Sequence, residues 1–243
     1  MTQIVVNLPP YESVVDRLQR DKGEWDGAEL TEIALGDIEA LYHPKPLDGG
    51  AAYHQMIGKD WGATPKLDGE CVLFCKDNKN SAGISAFYNA SGNPVPMEKM
   101  PDITLSQRTE GYVFAGELIG HRSLKDRIKP TIIIHDVWIP HATSIGYVNR
   151  LKLIETLFPT WDMYLCQQTK GIYAAPNITP WIEDHWIAMQ DWNKCTESNF
   201  FEGFVFKRWS SALDHGIRNL RTKGVYPPTH HEWIKCKFDS VMT

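Results

Sequence analysis

The rhythm of apolar and polar positions changes near residue 70. Before it the spacing is mostly helical. Val14, Val15 and Leu18 fall on one side of residues 11–20, which follow Pro9 and Pro10 and are predicted to form a helix. Leu30, Ile33, Ala34, Ile38 and Leu41 mark residues 29–42 as a second helix, after a short strand at Ile4-Val5-Val6. Pro44 to Gly50 reads as a loop. From Cys71 onward the period shortens to that of strands. Residues 71–76 and 84–89 flank the polar turn Asp77-Asn78-Lys79-Asn80 and predict a hairpin. Residues 111–120 form a third predicted strand, and 131–138 a fourth, apolar enough to be central. Helical spacing returns at 147–158, through Leu151, Ile154 and Leu157, and at 180–192. Residues 200–208 and 232–238 complete the strands. Helices first, then strands with helices between them, predict an α+β fold built on antiparallel sheets flanked by helices.

Composition narrows this only a little. At 243 residues, 42% hydrophobic and 23% charged, the chain suits one large domain with a real core, or one domain with a small appendage. Nine tryptophans argue against a disordered chain. A net charge of −5 gives no global field for nucleic acid, so any such partner needs a local basic patch. The five cysteines lack a Cys-x-x-Cys pair, which argues against a zinc site or disulfide framework and for a reducing, cytoplasmic setting. The N-terminus lacks the basic region and long apolar run that mark a signal peptide, and no stretch is long and apolar enough to span a membrane.

Chemistry collects first at Thr64-Pro65-Lys66-Leu67-Asp68-Gly69-Glu70. A lysine amine is a nucleophile only when neutral, and free lysine titrates near ~10.4. Burial and neighbouring cations lower that value. Alone, Lys66 reads as a solvated turn residue, since short motifs recur by chance. Further along, Lys235 and Lys237 are two apart and so share a strand face. They repel unless an anion lies between them, for which a polyphosphate is the natural candidate; a solvated edge strand is the plainer alternative. Glu117 is an acid within an apolar strand and needs a partner such as a metal, a sugar hydroxyl or a base. Glu202 and Lys207 are an odd number apart and fall on opposite faces of a regular strand, unless Gly203 permits a bulge.

These features follow one order: Lys66-x-Asp68-Gly69, Gly116-Glu117, His135-Asp136-Val137, Glu202-Gly203-x-Val205-x-Lys207, and Trp233-x-Lys235-x-Lys237. That order resembles the covalent nucleotidyltransferase superfamily of ATP-dependent DNA ligases, RNA ligases and capping enzymes, over roughly residues 66–237. The resemblance implies an adenylyltransferase domain, ATP-grasp-like, over residues 54–243, with 1–53 as an N-terminal segment or small helical module. It implies attack by Lys66 on the α-phosphorus of ATP, giving lysyl-AMP, transfer of AMP to a 5′-phosphate, and sealing by a 3′-hydroxyl. Thr64, Pro65, Asp68 and Gly69 would line the nucleotide site. Glu117 would meet the ribose, His135 the base, and Lys207 the nucleotide or the strand being sealed. Glu202 would hold Mg2+, and Lys235 and Lys237 would contact phosphates.

The pattern departs from DNA ligases in two places. Cys71 stands where they usually carry an arginine, and Asn89-Ala90-Ser91-Gly92 lacks the arginine of their next motif. The pattern is nearer the RNA ligase branch, especially its nick-sealing type 2 members. A DNA ligase, a capping guanylyltransferase and a silent nucleic-acid-binding protein remain alternatives. With the chain ending just after Lys237, the pattern resembles a bare nucleotidyltransferase domain without the family's C-terminal OB domain, so residues 1–53 or an accessory protein are expected to supply what that domain does; a small ligase of this kind suits a virus or phage by analogy. Nucleic-acid contacts are expected at 121–129 and at Arg208, Trp209, Arg218, Arg221, Lys223 and Tyr226.

Overall fold

The computed structural model describes residues 44–46, 60–76, 85–89, 112–120, 130–139, 144–163, 171–179, 182–212 and 230–238, with residues 95, 105, 109 and 142 between them. The helices and strand expected before residue 43, and the division at residue 53, lie outside the described residues.

Two sheets carry the fold. One has four strands: β1 (Pro44–Pro46), β9 (His230–Lys237), β8 (Phe201–Arg208) and β2 (Trp61–Leu67), in that order across the sheet. The other has five: β4 (Ser85–Asn89), β3 (Glu70–Lys76), β5 (Val113–Ile119), β6 (Thr131–Trp138) and β7 (Gly171–Ala174). Two helices, α1 (Tyr147–Leu157) and α2 (Ile182–Thr196), complete the described elements. The α+β class, the 71–76/84–89 hairpin and an interior position for β6 agree with the sequence.

Residues 44–46, expected within a loop, form strand β1, and three further elements differ from the sequence-based expectation. The sheets are not wholly antiparallel, because β1 runs parallel to β9 and β7 parallel to β6. The chain between β6 and β7 includes α1, and a crossover of that kind returns the strand in the same direction. The stretch around Lys66 is strand, not turn. β2 is an edge strand, so the N–H missing at Pro65 costs the sheet no second ladder. The third difference is β7 itself, only four residues long and without an alternating pattern to announce it.

The turn proper is Asp68-Gly69. It moves the chain from the end of β2 in one sheet to β3 in the other, and the Asp68 N–H donates to Phe200 O at 2.9 Å. A Cβ on Gly69 would lie 2.6 Å from Leu118 O and 2.7 Å from Glu117 Cγ. Glycine is therefore required here for close approach to β5.

Each sheet has its own core. Val72, Leu73 and Phe74 of β3 pack with Phe114, Leu118, Ile134 and Val137, and with Ile154 of α1. Around the other sheet, Phe200, Phe201, Phe204 and Phe206 pack with Met189 and Trp192 of α2. Trp186 adds a tilted contact on Phe204 at 5.2 Å and an edge contact on Phe238 at 4.8 Å. Several of the many tryptophans thus serve this second core. Full burial of one of these phenylalanine side chains contributes about 1.5–3 kcal/mol. The cores interlock: Trp233 of β9 belongs to the first, while Ile119 and Ile133 belong to the second. The first turn of α1 is likewise held from outside, since the Val148 N–H donates to Trp209 O at 3.1 Å just after β8.

Candidate active site

A cleft of about 370 Å³ opens where β2 hands over to β3, a size suited to a small ligand. Its walls come from both sheets. Thr64, Pro65 and Lys66 contribute from β2, Asp68 and Gly69 from the turn, and Glu117 and His135 from β5 and β6. Glu202 and Lys207 enter from β8, and Lys235 and Lys237 from β9. Every residue named from the sequence as a candidate for catalysis, nucleotide binding or metal binding therefore lines this one cleft.

Two irregularities in pairing bring this about. Along β2 and β8, Lys66 faces Gly203 but Leu67 faces Phe201, which leaves Glu202 as an extra residue. That bulge moves Glu202 onto the face of Val205 and Lys207, against the rule for a regular strand. Gly203 makes it possible, with φ at 137° and no room for a Cβ, which would lie 2.0 Å from Cys236 O. Along β5 and β6, Ala115 faces Asp136 but Gly116 faces Ile134, so His135 is the extra residue there.

The Lys66 ammonium donates to Glu202 Oε2, and Lys237 Nζ donates to Glu202 Oε1 at 3.0 Å. A carboxylate of the protein thus lies between Lys66 and Lys237. The Lys66 pKa lies below the ordinary lysine value. Burial is the largest cause, then the charge of Lys237, with Lys235 adding to it; Glu117 and Asp68 oppose it.

Behind the cleft is a network that the sequence did not reveal. Asp136 is wholly buried and accepts from Arg150 Nε at 2.7 Å, Arg150 Nη2 at 3.2 Å and Lys207 Nζ at 3.0 Å. Lys207 Nζ also donates to His135 O at 3.0 Å and stands 4.7 Å above the Tyr147 ring. Burial pushes the Asp136 carboxyl upward, but Arg150 and Lys207 together hold it far below the usual carboxylate range. Burial lowers the Lys207 pKa despite Asp136. The Lys207 ammonium is therefore anchored to the protein and serves as a fixed charge at the cleft wall. An acid within the apolar run 131–138 was the available signal for this network. His135 is neutral, its pKa lowered to about 3 by burial first and by Lys207 second.

Trp209, a candidate for stacking on bases or sugars, is partly buried. Its ring packs on Tyr147 at 5.9 Å and 12°, and covers Gly62 so closely that a Cβ there would lie 2.4 Å from it. Arg208 is exposed and sits 5.2 Å over the Trp61 ring. The other basic and aromatic residues expected to meet nucleic acid, 121–129 and Arg218, Arg221, Lys223 and Tyr226, lie outside the described residues. So does Cys166; Cys71, Cys75, Cys195 and Cys236 are not in disulfides.

Glu202, Glu117 and Asp68 bring carboxylate groups to the lining of this cleft. No helix among the described residues is long and apolar enough to cross a membrane.

No family model matches the sequence, and no curated protein matches it. Solved structures do match the fold. A mycobacterial DNA ligase D complexed with ATP and MES is similar over 81% of this chain and 60% of its own, at 18% identity and a TM-score of 0.46. An archaeal ATP-dependent RNA ligase is similar over 81% of this chain and 48% of its own, at 12% identity and a TM-score of 0.48. A Chlorella virus DNA ligase-adenylate is similar over 80% of this chain and 67% of its own, at 14% identity and a TM-score of 0.40. This chain thus spans less than two thirds of the first two.

Proposed function

We propose that the protein is an ATP-dependent polynucleotide ligase that adenylylates itself on Lys66 and seals 3′-hydroxyl to 5′-phosphate ends, with RNA the preferred strand. The observation that supports this most is the setting of Lys66. Its amine lies in a cleft, its pKa is lowered, and Lys235 and Lys237 share the same cleft. A lysine so placed is poised as a nucleophile, and the lysines around it suit a polyphosphate.

In the first step the neutral Lys66 Nζ forms a bond to the α-phosphorus, and the bond from that phosphorus to pyrophosphate breaks. The Nζ–phosphorus bond then breaks as a 5′-phosphate takes the AMP, and AMP finally leaves as a 3′-hydroxyl forms the new phosphodiester. Lys235 and Lys237 offset charge on the phosphates, and Lys207 stays fixed by Asp136 at the cleft wall. Glu117 takes the ribose hydroxyls, and the neutral His135 ring lies against the base. Glu202 would hold magnesium, which neutralises phosphate charge when bound. Cys71, in place of the arginine usual in DNA ligases, is the feature that favours RNA.

The test is intact mass after incubation with magnesium and either ATP or GTP. The expected result is a gain of one AMP from ATP alone, localised to Lys66 and abolished by Lys66→Ala. A gain of GMP would point to capping chemistry. No adduct with either nucleotide, from a chain whose starting mass is unmodified, would favour a silent nucleic-acid-binding protein. Nicked RNA and nicked DNA then separate the two kinds of ligase.

A further inference from the structure

We propose that Cys71, Glu117 and His135 form a site for a zinc-class transition metal ion, and that its occupancy excludes nucleotide from the same cleft. The three come from neighbouring strands. Cys71 of β3 stands directly opposite Glu117 of β5. Glu117 faces Ile133 of β6, and the bulge two residues on adds His135 to the same cleft. A sulfur, a carboxylate oxygen and an imidazole nitrogen consequently lie within 4.8 Å of one another, all on partly buried residues. Zinc bonds of about 2.0–2.3 Å place tetrahedral donors roughly 3.5 Å apart, within reach of side-chain rotation.

The donor set discriminates between ions. Thiolate and imidazole select zinc, cobalt or copper, whereas magnesium requires oxygen. Three protein donors leave a fourth position for water, the arrangement of an open zinc site. A thiolate and a carboxylate carry two negative charges, which offset the two positive charges of the ion in a cleft otherwise rich in lysine. The site escaped the sequence because its ligands are dispersed over 65 residues, with none of the close spacing that marks zinc motifs.

Binding of the ion stands on the geometry alone. Exclusion of nucleotide rests on the proposed function, in which Glu117 and His135 meet the ribose and base. An ion that takes both residues leaves the nucleotide neither.

Cobalt(II) is the probe, added to the full, reduced, metal-free chain. The expected result is one-to-one binding with a thiolate-to-cobalt charge-transfer band and tetrahedral visible bands, displaced by one equivalent of zinc. Cys71→Ser abolishes the charge-transfer band, and His135→Gln weakens binding at least about tenfold, the smallest loss typical even of outer-sphere changes. Circular dichroism establishes that the variants fold. Independently of any variant, zinc is expected to slow iodoacetamide modification of Cys71, read by peptide mass. A charge-transfer band that persists in Cys71→Ser, or equal modification of Cys71 with and without zinc, would overturn the site. For exclusion, one equivalent of zinc added before ATP and magnesium is expected to suppress the lysyl-AMP adduct. An undiminished adduct with zinc still bound would overturn exclusion. Failure of the adduct in metal-free protein would count against the ligase reading and leave the metal site standing.

Discussion

At the scale of the residue, the cleft is governed by how charges are shared. Lys66 is drawn in two directions, since Glu202 holds its ammonium while burial and Lys237 work against that charge. Removing Lys237 removes a cation and so raises the Lys66 pKa. Lys237→Met is therefore expected to shift the rise of lysyl-AMP formation to higher pH, measured by adduct mass against pH. An unmoved profile would show that burial alone sets the reactivity. Asp136 is a separate case, because two buried cations depend on it. Asp136→Ala should cost about 3–5 kcal/mol in urea unfolding, as breaking a buried ion pair strands its partners. The folded-state pKa of Asp136 is depressed, so its contribution is complete above the unfolded value near ~3.9 and is lost as pH falls below it. Wild-type stability should accordingly fall below about pH 4, and Asp136→Asn should lose less over that range.

At the scale of the element, two bulges convert ordinary strands into the walls of a site. Gly203 is the hinge of the first. Gly203→Ala faces both an unfavourable φ and the Cys236 carbonyl, so β8 and β9 must separate. Strain of this kind costs about 1–3 kcal/mol. The expected outcome is a lower melting temperature together with a weaker adduct, since Lys66, Glu202 and Lys237 all hang on that pairing. A lower melting temperature with full adduct formation would show that the bulge serves stability alone. Strand positions around the bulges were legible because side-chain alternation is local. The Lys235 and Lys237 pair was assigned to one face for that reason, and both do line the cleft. Gly203 marked where β8 could bulge, but whether it does was not legible: that depends on the register of β2 against β8, sequences well over a hundred residues apart.

At the scale of the whole molecule, the two sheets are tied by more than the cleft. Trp233 crosses into the first core, Ile119 and Ile133 cross into the second, and Lys207 of one sheet is bound to Asp136 of the other. Unfolding should be a single transition, with tryptophan fluorescence and far-ultraviolet circular dichroism coincident in urea. Separate midpoints would mean that the sheets unfold independently.

The sequence by itself determined the α+β class, the positions of most strands and helices from 70 onward, and the set of side chains with chemistry to offer. Those follow from period, turn residues and local charge, which act over a few residues. Tertiary structure alone decided that the Lys66 stretch is an edge strand, that Glu202 shares the face of Lys207, and that Asp136 anchors Arg150 and Lys207. It also decided that the Trp209 ring packs on Tyr147 and that Cys71 lies beside Glu117 and His135. Each of these depends on which strand lies beside which, and pairing is settled by the burial of both cores together.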